Sequence, residues 1–450
     1  MECSRSPNDR LRALLAEAGW TGGDLARGVN TIAAETGLRV KYRRASSAQW
    51  LAGGQPREPV PRLVTEALSR TLGRPITPSD AGFHRARTPG GPDHEKENTV
   101  VSQLAGLGRA ATRRDLLRYT VYSLGLLTVP DLPEMAAPVE AVRQARRYPL
   151  RLGTTEIEAA AAALRLFSES ERALGASLVR DSLAEYLAGT IAPWLRANTA
   201  TAELRQRLLS VAAELTYLFG FLCFDDELHG AAQRYYRTAL RLSAEAEDPG
   251  VYAIALRSMS VQAHALGHHG QAARLAQSAV ETAASKVPAP TKAFLLGQLA
   301  VTSAGVGDHR RAAAELGSAE RQLDIMPNES ASVGAYHYAS LAHQRSAVLA
   351  SAGDSDGAIA ALRESIRHRS AAEPRARAIT QAGLAEFQLD RGRVEEAADA
   401  WNSFLDTYPS VHSGRVRTAM VTLRARMRPH QKSPAVRALL HRATALHHEA

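Results

Sequence analysis

Cysteine is nearly absent: Cys3 and Cys223 are the only two in 450 residues, far apart and with no CxxC pair. This excludes a disulfide framework and offers no zinc-site spacing. Cys3 reads as part of a frayed terminus and Cys223 as a small buried hydrophobe. Aromatics are scarce at 5%, and Val and Ile are not enriched. Ala, Leu, Arg and Glu together favour helix over strand. No apolar run at the N-terminus has the build of a signal peptide. Arg113–Val129, "RRDLLRYTVYSLGLLTV", has the look of a twin-arginine export signal, but it is internal and its apolar part is too short to span a bilayer. It is expected to be a buried or docking helix of a cytoplasmic protein that makes no membrane contact. No P-loop, HExxH or Gly-x-Ser-x-Gly elbow occurs, so neither an enzyme nor a cofactor is expected. His268 with His269, and His447 with His448, lack a third ligand nearby, so no metal site is expected. Asp225, Asp226 and Glu227 read as a solvated turn.

What is present begins with charge and length. A formal net charge of +9 makes an anionic partner plausible, with nucleic acid first. The chain is too long for one core, so two or three domains are expected. "TPGGPDHEKEN" (88–98) is its clearest linker. The expected division is a helical unit over 1–87, a linker and connector with one apolar helix over 88–153, and amphipathic helix over 154–450.

The long region repeats. Five helix pairs align on Ala232, Ala272, Ala312, Ala358 and Ala397. Four residues on stands Tyr236, Leu316, Leu362 or Trp401, with Ala276 the exception. A small residue precedes each alanine by a fixed interval: Gly220, Ser260, Ala300, Ser346 and Ala385. Gly267, Gly307, Gly353 and Gly392 mark the turns, while the first repeat has Glu227 there. Small residues let antiparallel helices approach, the bulky one fills the gap to the next pair, and glycine closes a helix. The offsets resemble the tetratricopeptide repeat, lengthened by proline-ended joints. Repeats are expected over about 203–410, with capping helices over about 154–200 and a C-terminal cap over 411–450. Function in such a solenoid lies on the inner groove. Tyr217, Arg257, His264 and His343 are expected there, facing a peptide, a protein segment or a small ligand.

The N-terminal unit reads as four short helices. "NDRLRALLAEAGW" places Leu11, Leu14, Leu15 and Ala18 on one face, and Thr21 caps a second helix. "SSAQWLAGG" follows a basic run containing Arg39, Lys41, Arg43 and Arg44. "PVPRLVTEALSRTLG" is the fourth helix. This order is similar to the lambda-repressor-like helix-turn-helix. Trp50 and Leu51 are expected to anchor the third helix while Ser46, Ser47 and Gln49 face out, Gln suiting adenine. Lys41, Arg43, Arg44 and Arg57 are expected at phosphates. One departure is that the stretch between the second and third helices is about a dozen residues longer than the tight turn of the motif. It is expected to extend the second helix or to form a wing-like loop.

Taken together, "LLAEAGWTGGDLARGVN", "WLAGGQPREPVPRLVTEALSRTLGRPITPSD" and "AELTYLFGFLCFDDELHGAAQRYYRTALRLSAEA" resemble the actinobacterial regulators that join a helix-turn-helix to a tetratricopeptide array, the NsdA-type regulators of differentiation and antibiotic production among them. The resemblance implies an all-α fold, transcriptional regulation through double-stranded DNA, and a homodimer in the cytoplasm. The alternative is a protein-binding scaffold whose degenerate N-terminal unit does not bind DNA.

Overall fold

The computed structural model describes residues 6–35, 38, 40–83, 100–108, 120–127, 151–283, 287–325 and 336–449. The 88–98 linker, Cys3 and Arg39 lie outside them, as do the side chains of His447 and His448. Among the described residues the chain is all-α apart from one short parallel bridge, Arg151–Leu152 with Asn198–Thr199.

Four helices form a head: α1 (Asp9–Glu17), α2 (Gly22–Glu35), α3 (Arg44–Leu51) and α4 (Val60–Leu72). Their apolar stripes meet in one core that includes Leu11, Leu25, Val29, Trp50, Leu63 and Leu68. Asn8 caps α1, accepting from the Leu11 amide at 3.0 Å, and donates to the Ala81 carbonyl at 2.9 Å. Part of the extra length before α3 is helix, because α2 runs on to Glu35. Residues 36–43 then connect to α3. The Asn30 side chain clamps this connection, accepting from the Tyr42 amide at 2.8 Å and donating to its carbonyl at 2.9 Å.

After α5 (Val100–Leu107), the helices α6 (Thr154–Leu174), α7 (Ala176–Tyr186) and α8 (Ala192–Arg196) lead into the array. Five hairpins follow. They are α9 (Ala202–Asp225) with α10 (His229–Glu245), α11 (Pro249–Ala265) with α12 (His269–Ala283), and α13 (Ala289–Gly305) with α14 (His309–Ile325). Then come α15 (Tyr338–Ser351) with α16 (Ser355–His368), and α17 (Pro374–Asp390) with α18 (Val394–Thr407). Ala232, Ala272, Ala312, Ala358 and Ala397 have no exposed surface at all, as close helix approach demands. Gly267, Gly307, Gly353 and Gly392 take positive φ at the turns, and Glu227 does the same at φ 61° without being glycine. Helix α9 is long and apolar enough to cross a membrane by length and composition, but most of that apolar surface is buried inside the array.

The last two helices, α19 (Gly414–Met427) and α20 (Pro434–Glu449), pack on α17 and α18. They do more than cover the far end as expected. The His412 amide donates to the Leu174 carbonyl and the Ser177 amide to the His412 carbonyl, both at 2.9 Å. The Gly414 amide reaches the Asp226 carboxylate at 3.2 Å, and α6 packs on α17 as well as α9. The array therefore closes on itself. Gly175 permits the closure, since a Cβ there would lie 2.6 Å from the His412 carbonyl oxygen.

Of the stretch expected to be an apolar helix at Arg113–Val129, residues 120–127 are described, and they are not α-helical. Residues 120–123 are irregular and Leu124–Leu127 form a 3-10 turn. Side chains take the backbone groups a helix would use. The Ser123 amide and carbonyl bond Gln233 at 2.8 and 2.7 Å, and the Leu124 amide bonds Glu66 at 2.8 Å. The described part does dock: this strap lies between α4 of the head and α10 of the array, with Tyr122 buried and stacked on His268 at 5.8 Å.

Candidate functional site

Helix α3 is held from behind. Trp50 is 5% exposed and meets Tyr42 edge-on at 5.4 Å between ring centroids. Leu51 is half-buried, and its carbonyl accepts from the Asn8 amide at 2.9 Å. Ser47 was expected to face out and does not. It is fully buried, and its hydroxyl donates to the Gly22 carbonyl at 2.6 Å. The reason is the close crossing of α2 and α3, since a Cβ on Gly22 would lie 2.8 Å from the Ser47 Oγ. Ser46 is half-buried, with its hydroxyl accepting from the Arg43 amide at 3.4 Å.

The other face of α3 is open. Arg44, Ala45, Ala48, Gln49 and Ala52 are exposed with the whole array in place, as are Lys41 and Arg43 before the helix and Arg57 after it. Among the described residues none of these four cations has a carboxylate partner. By contrast Arg12, Arg27, Arg70 and Arg74 of the same head are paired. Two arginines at the start of a helix with no acid in its first turn oppose the helix dipole, which favours an anion at that end.

The four residues expected on the inner groove are largely enclosed by the array, His264 less so. Arg257 lies with its guanidinium 3.4 Å from the Phe294 ring centroid and donates to the Phe294 carbonyl at 2.9 Å. It has no carboxylate partner among the described residues, and burial lowers its pKa to about 10. Tyr217 is buried; its phenol accepts from Ser258 at 3.3 Å, and burial raises its pKa. Burial lowers His343 to about 4, keeping it neutral beside the Thr380 hydroxyl at 3.3 Å. His264 stands apart from these. Its Nδ1 lies 3.3 Å from Nδ1 of His269, in a cavity of about 270 Å³ lined also by Val301, Gly305, Ala347 and Ser351.

The acidic cluster read as a solvated turn is buried instead. Asp225 and Asp226 are 0% and 1% exposed. Arg375 of α17 lies between Glu171 of α6 at 2.8 Å and Asp225 of α9 at 3.1 Å. Asp226 pairs with Arg180, and with Arg417 at 3.2 Å. This ionic latch joins α6, α7 and α9 at the start of the array to α17 and α19 at its end. The available signal was the apolar run "LFGFLCF" leading directly into the acids, since a carboxylate ending such a helix is drawn in with it. Among the described residues no group of three or more His, Cys, Asp or Glu could hold a metal ion.

A family model described as the SP15 N-terminal domain matches residues 11–84, the stretch that holds most of the head. No curated protein matches the chain. Among solved structures, the crystal structure of BtubC (BKLC) from P. vanneervenii is similar at 17% identity, covering 59% of this chain and 92% of that one, with a TM-score of 0.33. The crystal structure of the APC/C hetero-tetramer Cut9–Hcn1 is similar at 14% identity, covering 85% of this chain and 63% of that one, with a TM-score of 0.34. With five hairpins in register and their alanines and turns where the pattern requires them, the chain is a helical-repeat protein of tetratricopeptide type, a fold with the capacity for protein–protein interaction.

Proposed function

We propose that the protein is a DNA-binding transcriptional regulator, a non-enzymatic cytoplasmic homodimer of the actinobacterial helix-turn-helix and tetratricopeptide type. The observation that carries the reading is the open face of α3, where Arg43, Arg44 and Gln49 are exposed and, among the described residues, without a carboxylate partner, while Trp50 and Ser47 fix the helix from behind. The small exposed side chains of Ala45, Ala48 and Ala52 allow close approach to base edges, Gln49 offers a bidentate contact to adenine, and the cations neutralise phosphates. The array sets where each head sits and binds a peptide, protein or small ligand on its concave face.

A mobility-shift series with upstream fragments from the source genome tests this. Specific retardation that weakens steeply with salt is expected, and it is lost in the Arg43→Ala/Arg44→Ala/Gln49→Ala variant. Binding untouched by that triple change sinks the reading. The scaffold alternative would then be favoured by a stable protein partner that the triple variant still retains.

A further inference from the structure

We propose that the α19–α20 hairpin is a second contact to DNA, gripping the phosphate backbone of the duplex that the head reads. The inference rests on the DNA-binding reading above. Residues 407–448 hold eight Arg and Lys and no Asp or Glu, against a net charge of +9 for the whole chain. Four of the eight are used internally. Arg417 pairs with Asp226, Arg426 with Asp390, and Arg442 with Asp406, while Arg415 lies over the Phe224 ring at 5.2 Å. The remaining four, Arg424, Arg428, Lys432 and Arg437, have no side-chain partner among the described residues. Arg428, Lys432 and Arg437 are exposed and Arg424 is half-buried.

A solvated helix end accounts for part of this pattern only. Arg424 and Arg428 complement the C-terminal dipole of α19. Lys432 and Arg437 flank the N-terminus of α20, where a cation is unfavourable, and no acid within the segment balances any of them. Four such charges around the connection between α19 and α20 are complementary to a run of phosphates and carry no sequence code.

Position adds the second argument. Helix α19 starts on the α9–α10 turn, where the Gly414 amide bonds Asp226 at 3.2 Å and Thr418 bonds Glu227 at 2.7 Å. The strap that carries the head meets the array a few residues further on, with Gly230 against the Thr120 carbonyl. Head and hairpin thus hang from one turn. At about 1.5 Å per residue, Arg424 and Arg428 stand roughly 15–20 Å along α19 from it.

The test is fluorescence anisotropy with full-length protein on a 40-base-pair duplex of the retarded upstream sequence and on a scrambled duplex, over 50–300 mM salt. For Arg424→Gln/Arg428→Gln/Lys432→Gln/Arg437→Gln the slope of log K against log salt should fall by roughly three. Affinity should drop at least tenfold, equally on both duplexes. A variant with Lys at the three arginine positions should keep the wild-type slope, showing that the loss is one of charge and not of folding. An unchanged slope in the Gln variant, with binding still abolished by the head triple variant, overturns this inference and leaves the function reading standing. No binding by wild-type protein overturns both. Loss of retention on phosphatidylglycerol vesicles with no change on DNA assigns the hairpin to a membrane surface and overturns it too.

Discussion

Trp50 and Gln49 are neighbours with opposite duties, and the difference is testable. Trp50 fills the head core, so Trp50→Ala should cost about 3–5 kcal/mol and, read by denaturant melts of the full chain, should remove an early transition belonging to the head. Gln49→Ala, at an exposed position, should move stability by no more than about 0.5 kcal/mol and, on the DNA-binding reading, relax preference at one base pair. Equal destabilisation by both would mean that α3 presents another face. The anchor was legible because one large aromatic in a helix of small residues has only one place to go. The two serines were not. Ser46 and Ser47 are the same residue type side by side, and which one turns inward is set by the crossing with Gly22, across a sequence gap of 25 residues. Glu227 carries a similar lesson, since a glycine marked the left-handed turn in four repeats and the geometry of the hairpin imposed it in the fifth.

Helices and hairpins were the most legible elements, because their signals are local. A fully buried alanine and a turn residue of positive φ recur within each pair, and a reader needs only that spacing. Closure of the array is not local. Arg375 meets Asp225 across 150 positions, and neither residue carries a mark that names the other. The latch also makes a definite energetic claim. Burial raises the pKa of Glu171 even with Arg375 beside it, so removing the arginine leaves two carboxylates stranded. Arg375→Met should cost about 3–5 kcal/mol in urea melts, and Glu171→Leu/Asp225→Leu added to it should recover most of that loss. A cost that persists in the triple variant would assign the destabilisation to packing against Phe221, over whose ring the guanidinium lies at 4.9 Å, and not to charge.

At the scale of the whole molecule the question is whether head and array act as one body. They touch through the strap, and one close approach is backbone on side-chain-free backbone: a Cβ on Gly230 would lie 2.4 Å from the Thr120 oxygen. Arg70 ties the head's side of this joint, bonding Glu35 at 2.7 Å and Glu66 at 2.9 Å, with Glu66 also holding the Leu124 amide. A Val at position 230 cannot fit without displacing the strap, while α10 itself tolerates it. Gly230→Val should therefore leave head and array folded yet free to reorient, seen as faster proteolytic cleavage between residues 84 and 150 with both fragments resistant. On the DNA-binding reading, a dimer reads two half-sites only when its heads are held at a fixed spacing. The same variant should then bind a single half-site as wild type does, and lose its preference for one spacing between two. Retained spacing preference would place the control of head position outside the strap, in the dimer contact itself.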